Sequence, residues 1–153
     1  MRFLHWGDIV GRQAREAVIA AVPRLRRELA LDFVIANGEN AAHGFGITDA
    51  ICQSLYAGGV DVITTGNHVW DRREIMTYIA GDPRLLRPIN FPAGTPGNGF
   101  GVFDLPDGRK IMVVNAMALI MAKGNSPKVR ASKGAAMFES GASGPPTIAP
   151  SPM

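Results

Sequence analysis

Short apolar runs alternate with helical patterns over the first part of the chain. Residues 2–8, 32–37 and 61–65 are apolar runs that predict buried strands. Residues 12–29 carry apolar side chains at helical spacing, and a second helix is expected to open at Thr48. Because strands and helices alternate in quick succession, the pattern predicts a parallel sheet with right-handed crossovers, and therefore an α/β fold.

The pattern after the third predicted strand is less regular. Asp71 followed by Glu74 is typical of a capping box, so we expect a helix with Asp71 as its N-cap. Residues 87–99 form a loop rich in proline and glycine. Residues 100–105 and 110–115 then predict a β-hairpin, because a Pro-Asp-Gly turn separates them.

The regular pattern ends near Lys123. Residues 123–153 are rich in Gly, Ser, Pro and Ala and show no sustained period, so we expect a disordered low-complexity tail. Residues 1–122 are expected to form the folded part, since 153 residues with 46% hydrophobic content are enough for about one globular domain.

Composition also bears on location and redox chemistry. The sequence has no run of about 18 apolar residues and no signal-peptide pattern at its N-terminus, so we expect a soluble cytoplasmic protein with no membrane partner. Cys52 is the single cysteine and falls in a helical pattern. It is expected to be a small core residue, because it has no partner for an internal disulfide.

Charge is unevenly distributed along the chain. The net charge of +3 lies in residues 116–153, which hold four basic groups against one acidic group. Residues 1–115 are neutral, so the body of the protein has no basic excess of the kind that binds a phosphate backbone. We therefore predict no direct nucleic-acid binding.

Polar side chains follow each predicted strand at the point where it ends. These ends are Gly7-Asp8, Asn37-Gly38-Glu39-Asn40 and Gly66-Asn67-His68. The carboxyl ends of parallel strands lie along one edge of a sheet, where open α/β folds usually bind ligands. Carboxylate and amide oxygens together with an imidazole suit a divalent metal, and a carboxylate such as Glu39 can bridge two ions.

Each of these residues also has a purely structural interpretation. Asp8 alone could cap a helix or a turn. Asn37 and Asn40 could form a turn around the glycine between them, and His68 could be a structural histidine. The recurrence of polar side chains at the same topological position on successive strands favours a shared site.

Four ordered blocks of the sequence resemble a known family. They are GDIVG at 7–11, NGENAAHG at 37–44, TGNHVWD at 65–71 and RPINFP at 87–92. Together they resemble the bacterial calcineurin-like metallophosphoesterases of the 2′,3′-cyclic-nucleotide 2′-phosphodiesterase type, over about the first 115 residues. Val10 stands where most metallophosphoesterases have the histidine of Asp-x-His, and Glu39 replaces an aspartate, which is typical of this subfamily.

The resemblance implies a fold and an activity. The fold is the N-terminal half of a metallophosphoesterase-like α/β sandwich, with a parallel β-α-β-α-β sheet followed by a hairpin. The activity is hydrolysis of a phosphodiester or cyclic-nucleotide substrate by water that two divalent metal ions activate, with iron or manganese as the expected metal. The resemblance also implies homo-oligomer formation.

The resemblance further assigns roles to individual residues. Asp8, Glu39 and Asn40 would bind one metal ion. Glu39 would bridge to a second ion, which Asn67 also holds. His68 would act as the general acid that protonates the leaving oxygen.

The similarity stops in the middle of the domain. The family completes its two-metal site with three histidines from the second half of the domain, whereas the last histidine here is His68. His5, in the first strand, and His43, in a loop, are assigned to no metal. We therefore expect that the C-terminal half is missing, through a truncated or frameshifted reading frame. Metal occupancy and activity would then be weak or absent.

Two further classes of protein remain open. A non-catalytic fragment or interaction remnant of the family would bind a partner through its exposed sheet edge. A dinucleotide-binding domain is the other, but residues 7–11 lack the G-x-G-x-x-G spacing and place a carboxylate where a pyrophosphate would be repelled. Metal content and phosphodiester hydrolysis distinguish an enzyme from a remnant.

Overall fold

The computed structural model describes residues 1–118 and the backbone of residues 134–140. The described part contains a four-stranded sheet that is parallel throughout. In spatial order its strands are β1 (Phe3–Trp6), β2 (Phe33–Asn37), β3 (Val62–Thr64) and β4 (Leu85–Leu86). The helices between them are α1 (Gly11–Leu29), α2 (Asp49–Ala57) and α3 (Ile75–Gly81). The predicted α/β fold is confirmed.

A second, antiparallel sheet follows. Its strands are β5 (Phe100–Asp104), β6 (Lys110–Ala116) and β7 (Gly134–Ser140), in that order. The predicted hairpin corresponds to β5 and β6, which pair in register from Phe100 opposite Val114 to Asp104 opposite Lys110. Gly108 has a φ of +84°, a conformation that favours glycine in the tight turn between the two strands.

Strand β7 falls inside the stretch expected to be a disordered tail. Gly134–Ser140 pairs antiparallel with β6 along all seven residues. The small residues of this strand give no strong β pattern in the sequence, and pairing with β6 supplies what local propensity does not. The rest of residues 123–153 lies outside the described residues, so the proposed boundary at residue 122 stays a prediction.

The parallel sheet is covered on both faces. On one face, Val34 of β2 shares a buried cluster with Val18 and Val22 of α1. On the other face, the next residue, Ile35, shares a second cluster with Ile111 and Val113 of β6. Successive side chains of a strand point to opposite faces, which explains why β2 is a continuous apolar run rather than an alternating one.

Of the two predicted helix N-termini, one agrees with the structure and one does not. Helix α2 begins as expected, because the Thr48 hydroxyl oxygen accepts a hydrogen bond from the Ile51 N–H at 3.3 Å. The prediction that Asp71 is an N-cap is wrong. Helix α3 begins at Ile75, with Glu74 in the N-cap position and no side-chain cap. A short 3₁₀ helix, Asn67–Trp70, comes first and leaves Asp71 in a different role.

The expectation that Cys52 is a core residue is confirmed. Cys52 is fully buried among apolar side chains, and burial raises the pKa of its thiol. Trp6 and Trp70 are partly buried and pack against the same cluster. Within the ranges that the structure describes, no helix combines the length and the apolar character that crossing a membrane requires.

Candidate active site

The carboxyl ends of the parallel strands open into one cavity of about 290 Å³. Three of the predicted metal-binding residues, Asp8, Glu39 and Asn67, line this cavity from three different strand ends. Asn37 also lines it, together with Asn115 from the end of β6. The sheet topology therefore brings together four of the side chains that the strand-end argument named, whereas the other two, Asn40 and His68, do not line the cavity.

Glu39 is the most deeply buried charged side chain of the cavity wall. It has no exposed surface, and its Oε2 accepts a hydrogen bond from the backbone N–H of His68 at 3.3 Å. Its own backbone N–H donates to Asn37 Oδ1 at 3.3 Å. Asn37 therefore forms the turn that its structural interpretation predicted, and this turn fixes the backbone of Glu39 beside the cavity.

Asp8 and Asn40 form a pair at the same edge. Asn40 Nδ2 donates to Asp8 Oδ2 at 2.7 Å. Asn40 Oδ1 is buried, and the part of the chain that the structure describes offers it no hydrogen-bond donor. A buried acceptor without a donor is costly, and a cation would satisfy it. The helix-cap interpretation of Asp8 is wrong, because the N-cap of α1 is Val10.

These donors fit a hard divalent cation in kind, but they do not complete a site. Over residues 1–118, no three His, Cys, Asp or Glu side chains are grouped closely enough to hold a metal ion. The predicted set relies on the amides of Asn40 and Asn67 beside two carboxylates. Oxygen ligands of this kind suit magnesium, manganese or iron, with water or further ligands filling the other positions.

Gly66 is required for space at this site. A Cβ atom added to Gly66 would lie 2.2 Å from Glu39 Oε2 and 2.7 Å from its carboxyl carbon. The φ of Gly66 is −145°, which lies outside the left-handed region. The glycine is therefore explained by its close approach to the buried carboxylate and not by a left-handed turn.

His68 is oriented by a carboxylate that the sequence analysis assigned elsewhere. His68 Nδ1 lies 2.7 Å from Asp71 Oδ2. Side chains three residues apart eclipse each other in a 3₁₀ turn, and this geometry brings the two together. A carboxylate on Nδ1 fixes the orientation of the ring and leaves Nε2 as the atom that can pass a proton. The sequence shows this spacing of three, but Asp71 was paired instead with Glu74 in a predicted capping box.

Asn115 is a site residue that the sequence analysis did not identify. It lies at the end of β6 with 5% of its surface exposed. Its Nδ2 donates to the carbonyl of Thr65 at 2.8 Å and to that of Leu86 at 2.9 Å. Asn115 thereby ties the second sheet to the segment that leads into Asn67 and His68. The signal was present, because Asn115 continues the inward alternation of Ile111 and Val113.

We expect replacement of Asn115 by alanine to destabilise the fold. The change removes the Asn115 donor from the Thr65 carbonyl, and an unsatisfied buried polar group costs about 1–3 kcal/mol. The Leu86 carbonyl keeps its hydrogen bonds from the N–H and the hydroxyl of Thr65. The free energy of unfolding from urea titration measures the effect. Asn98→Ala, at an exposed position, is the matched control and is expected to stay within about 0.5 kcal/mol of the parent. Equal losses in both variants would contradict this role for Asn115.

His5 lies in the cavity wall, although the sequence analysis assigned it to no metal. Partial desolvation lowers the pKa of its imidazole. A lowered pKa favours the neutral ring at neutral pH. His43 is exposed in its loop with a φ of +56° and does not line the cavity.

The parallel sheet is covered by helices on one face and by a second sheet on the other, and polar side chains lie at its carboxyl edge. This arrangement defines a metallophosphoesterase-like α/β protein. The chain belongs to the YmdB-like protein family, whose sequence profile matches residues 4–138. The family resemblance identified from the four sequence blocks is therefore confirmed.

Known proteins share this part of the fold. The chain is 47% identical over 115 residues to the 2′,3′-cyclic-nucleotide 2′-phosphodiesterase of Bacillus subtilis strain 168, covering 75% of this chain and 43% of the relative. A hypothetical protein from Thermus thermophilus superposes with a TM-score of 0.72 at 38% identity, covering 78% of this chain and 46% of that one. A phosphatase from Mycoplasma pneumoniae superposes with a TM-score of 0.68 at 30% identity, covering 74% of this chain and 42% of that one. The chain thus spans less than half the length of these relatives.

Proposed function

We propose that the cavity at the carboxyl edge of the parallel sheet is part of a phosphodiesterase site that works with divalent metal ions. The observation that carries this proposal is the buried Glu39 carboxylate, which shares one cavity with Asp8 and accepts a hydrogen bond from the backbone of His68. The name of the Bacillus subtilis relative supports the substrate class, a cyclic-nucleotide phosphodiester.

The chain's own residues would bind and position the reactants. Asp8 and Asn40, already paired at 2.7 Å, would hold one metal ion. Glu39 and Asn67 line the same cavity as Asp8, which supports a role for Glu39 as a bridge to a second ion that Asn67 would also hold. Bound divalent ions, of which iron and manganese are the proposed identities, would stabilise the charge of the phosphoryl group and lower the pKa of water.

His68 would supply the proton that the leaving oxygen needs. Asp71 holds the ring through Nδ1, so Nε2 is the atom that would donate to the departing alkoxide. After donating this proton, His68 would regain one from solvent, since 31% of its side chain is exposed.

A non-catalytic member of the family is the second candidate. One observation favours it. Residues 1–118 contain no group of three His, Cys, Asp or Glu side chains that could hold a metal. The resemblance assigns the remaining ligands to histidines of the second half of the domain. Incomplete coordination would weaken metal affinity, which is the basis of the weak activity expected from the sequence.

The deciding experiment measures bound metal and hydrolysis together. The chain is loaded with Mn²⁺ or with Fe²⁺ under anaerobic conditions, desalted, and assayed on a 2′,3′-cyclic nucleotide. We expect bound metal and hydrolysis above the rate of the free ion, and we expect Asp8→Ala and Asn67→Ala to lower bound metal. Asp104→Asn, at an exposed carboxylate on β5, is the control and should bind metal like the parent. A chain with neither bound metal nor hydrolysis would be the non-catalytic member.

A further inference from the structure

Phe45 is an aromatic side chain that the fold leaves in solvent beside the proposed proton donor. It is 59% exposed, more than the other large apolar side chains of the part that the structure describes. Its ring centre lies 5.3 Å from that of His68, and the two ring planes meet at 63°. An edge-on contact of this kind covers little of the Phe45 ring and leaves most of it open.

The backbone under Phe45 is fixed, so its exposure is not that of a loose loop. The Phe45 N–H donates to the Ala42 carbonyl at 3.1 Å, and the Ala42 N–H donates to the Gly46 carbonyl at 2.9 Å. Arg72 Nη2 also donates to the Ala42 carbonyl, at 3.3 Å. A Cβ on Gly46 would lie 2.8 Å from Arg72 Cγ, which shows how closely the loop packs against the segment after His68.

Phe45 lies on the side of the site where the leaving group of the substrate would bind. A general acid must lie within hydrogen-bond reach of the leaving oxygen. Because Phe45 contacts His68, the group attached to the leaving oxygen comes within reach of Phe45 as well. The polar side chains of the cavity wall are suited to the phosphoryl group, and they offer no comparable flat apolar surface to a base.

We propose that Phe45, held against His68 on a fixed loop, stacks on the base of the nucleoside that carries the leaving oxygen. This proposal rests on the proposed function and names its substrate class as nucleotide phosphodiesters. Every base has a flat π-face, so stacking on a single aromatic ring selects for a base without selecting its identity. A preordered ring adds affinity because little conformational freedom is lost on binding.

Binding of product-like ligands tests the proposal without turnover. Dissociation constants are measured by NMR titration for adenosine 3′-monophosphate and for ribose 5-phosphate. We expect Phe45→Ala to weaken binding of the nucleotide by about 5- to 100-fold, the range of one base–aromatic stack, and to leave ribose 5-phosphate unchanged. Phe45→Trp should retain nucleotide binding, and Phe100→Ala, at another exposed phenylalanine, should change neither constant.

Kinetic constants separate stacking from a role in holding His68. If Phe45 only packs the imidazole, Phe45→Ala lowers kcat equally for phosphodiesters with and without a base, and the stacking proposal is overturned. If Phe45 stacks, the variant raises KM for the cyclic nucleotide alone. Equal affinity of the parent chain for the two ligands would also overturn the proposal.

The binding arm and the hydrolysis arm can fail independently. A chain that hydrolyses no phosphodiester but binds adenosine 3′-monophosphate through Phe45 would refute the proposed function and leave the stacking surface standing. A chain that hydrolyses cyclic nucleotides, with kcat and KM unchanged after Phe45→Ala, would support the proposed function and refute the stacking proposal.

Discussion

Replacement of His68 by alanine is expected to lower the rate of phosphodiester hydrolysis by about 10²–10⁴-fold, the contribution of a positioned general acid. Bound metal per chain should stay unchanged, because the contact of His68 with Glu39 is made by its backbone N–H and survives the substitution. Hydrolysis of a 2′,3′-cyclic nucleotide and metal content of the same desalted sample measure the two quantities together.

Two other variants sharpen this test. Asp71→Ala should lower the rate by less than His68→Ala, because it removes the group that orients the ring and leaves the ring in place. His43→Asn is the matched control, since it changes an exposed histidine and keeps a residue that tolerates its φ of +56°. A loss of metal in His68→Ala as large as that in Asp8→Ala would show that His68 is a ligand, and the assigned division of roles would be wrong.

The strands that position the site were predictable because a strand buried on both faces has a continuous apolar sequence. Phe33–Asn37 reads as an apolar run, and the polar residues that follow it are placed by topology alone. Strand β4 was not predictable, since Leu85–Leu86 is two residues long and gives no period. It forms because Ile63 and Thr64 of β3 offer it a parallel edge.

Contacts between distant residues limited the prediction of the site. Strand-end reasoning brought Asp8 and Glu39 to one cavity, but it could not show that Asn115, fifty positions after Thr65, donates to the Thr65 carbonyl. It also misassigned Asp71, because a 3₁₀ turn and a helix start place polar side chains at the same spacing of three. Local spacing indicates which residues can meet, and only the packing decides which of them do.

Replacement of Gly66 by alanine is expected to weaken metal binding without removing any ligand. The new methyl group would lie 2.2 Å from Glu39 Oε2, so the carboxylate must turn away from the cavity and from the His68 N–H. Misplacing a group that supports a metal typically costs about 10–100-fold in affinity. Forcing one extra carbon into a packed site also costs about 1–3 kcal/mol of folding stability. Metal titration and urea unfolding measure the two effects.

The physical cause can be isolated with a double-mutant cycle. Glu39→Ala removes the carboxylate that the methyl group would strike, so adding Gly66→Ala to that variant should cost less stability than it costs in the parent. Gly81→Ala is the control, because a Cβ there meets nothing within 4 Å. Since Gly81 is in helix α3, alanine should be neutral or stabilise the fold by up to about 1 kcal/mol. If the costs of Gly66→Ala and Glu39→Ala are additive, the clash is relieved elsewhere and the close approach does not explain why glycine stands at position 66.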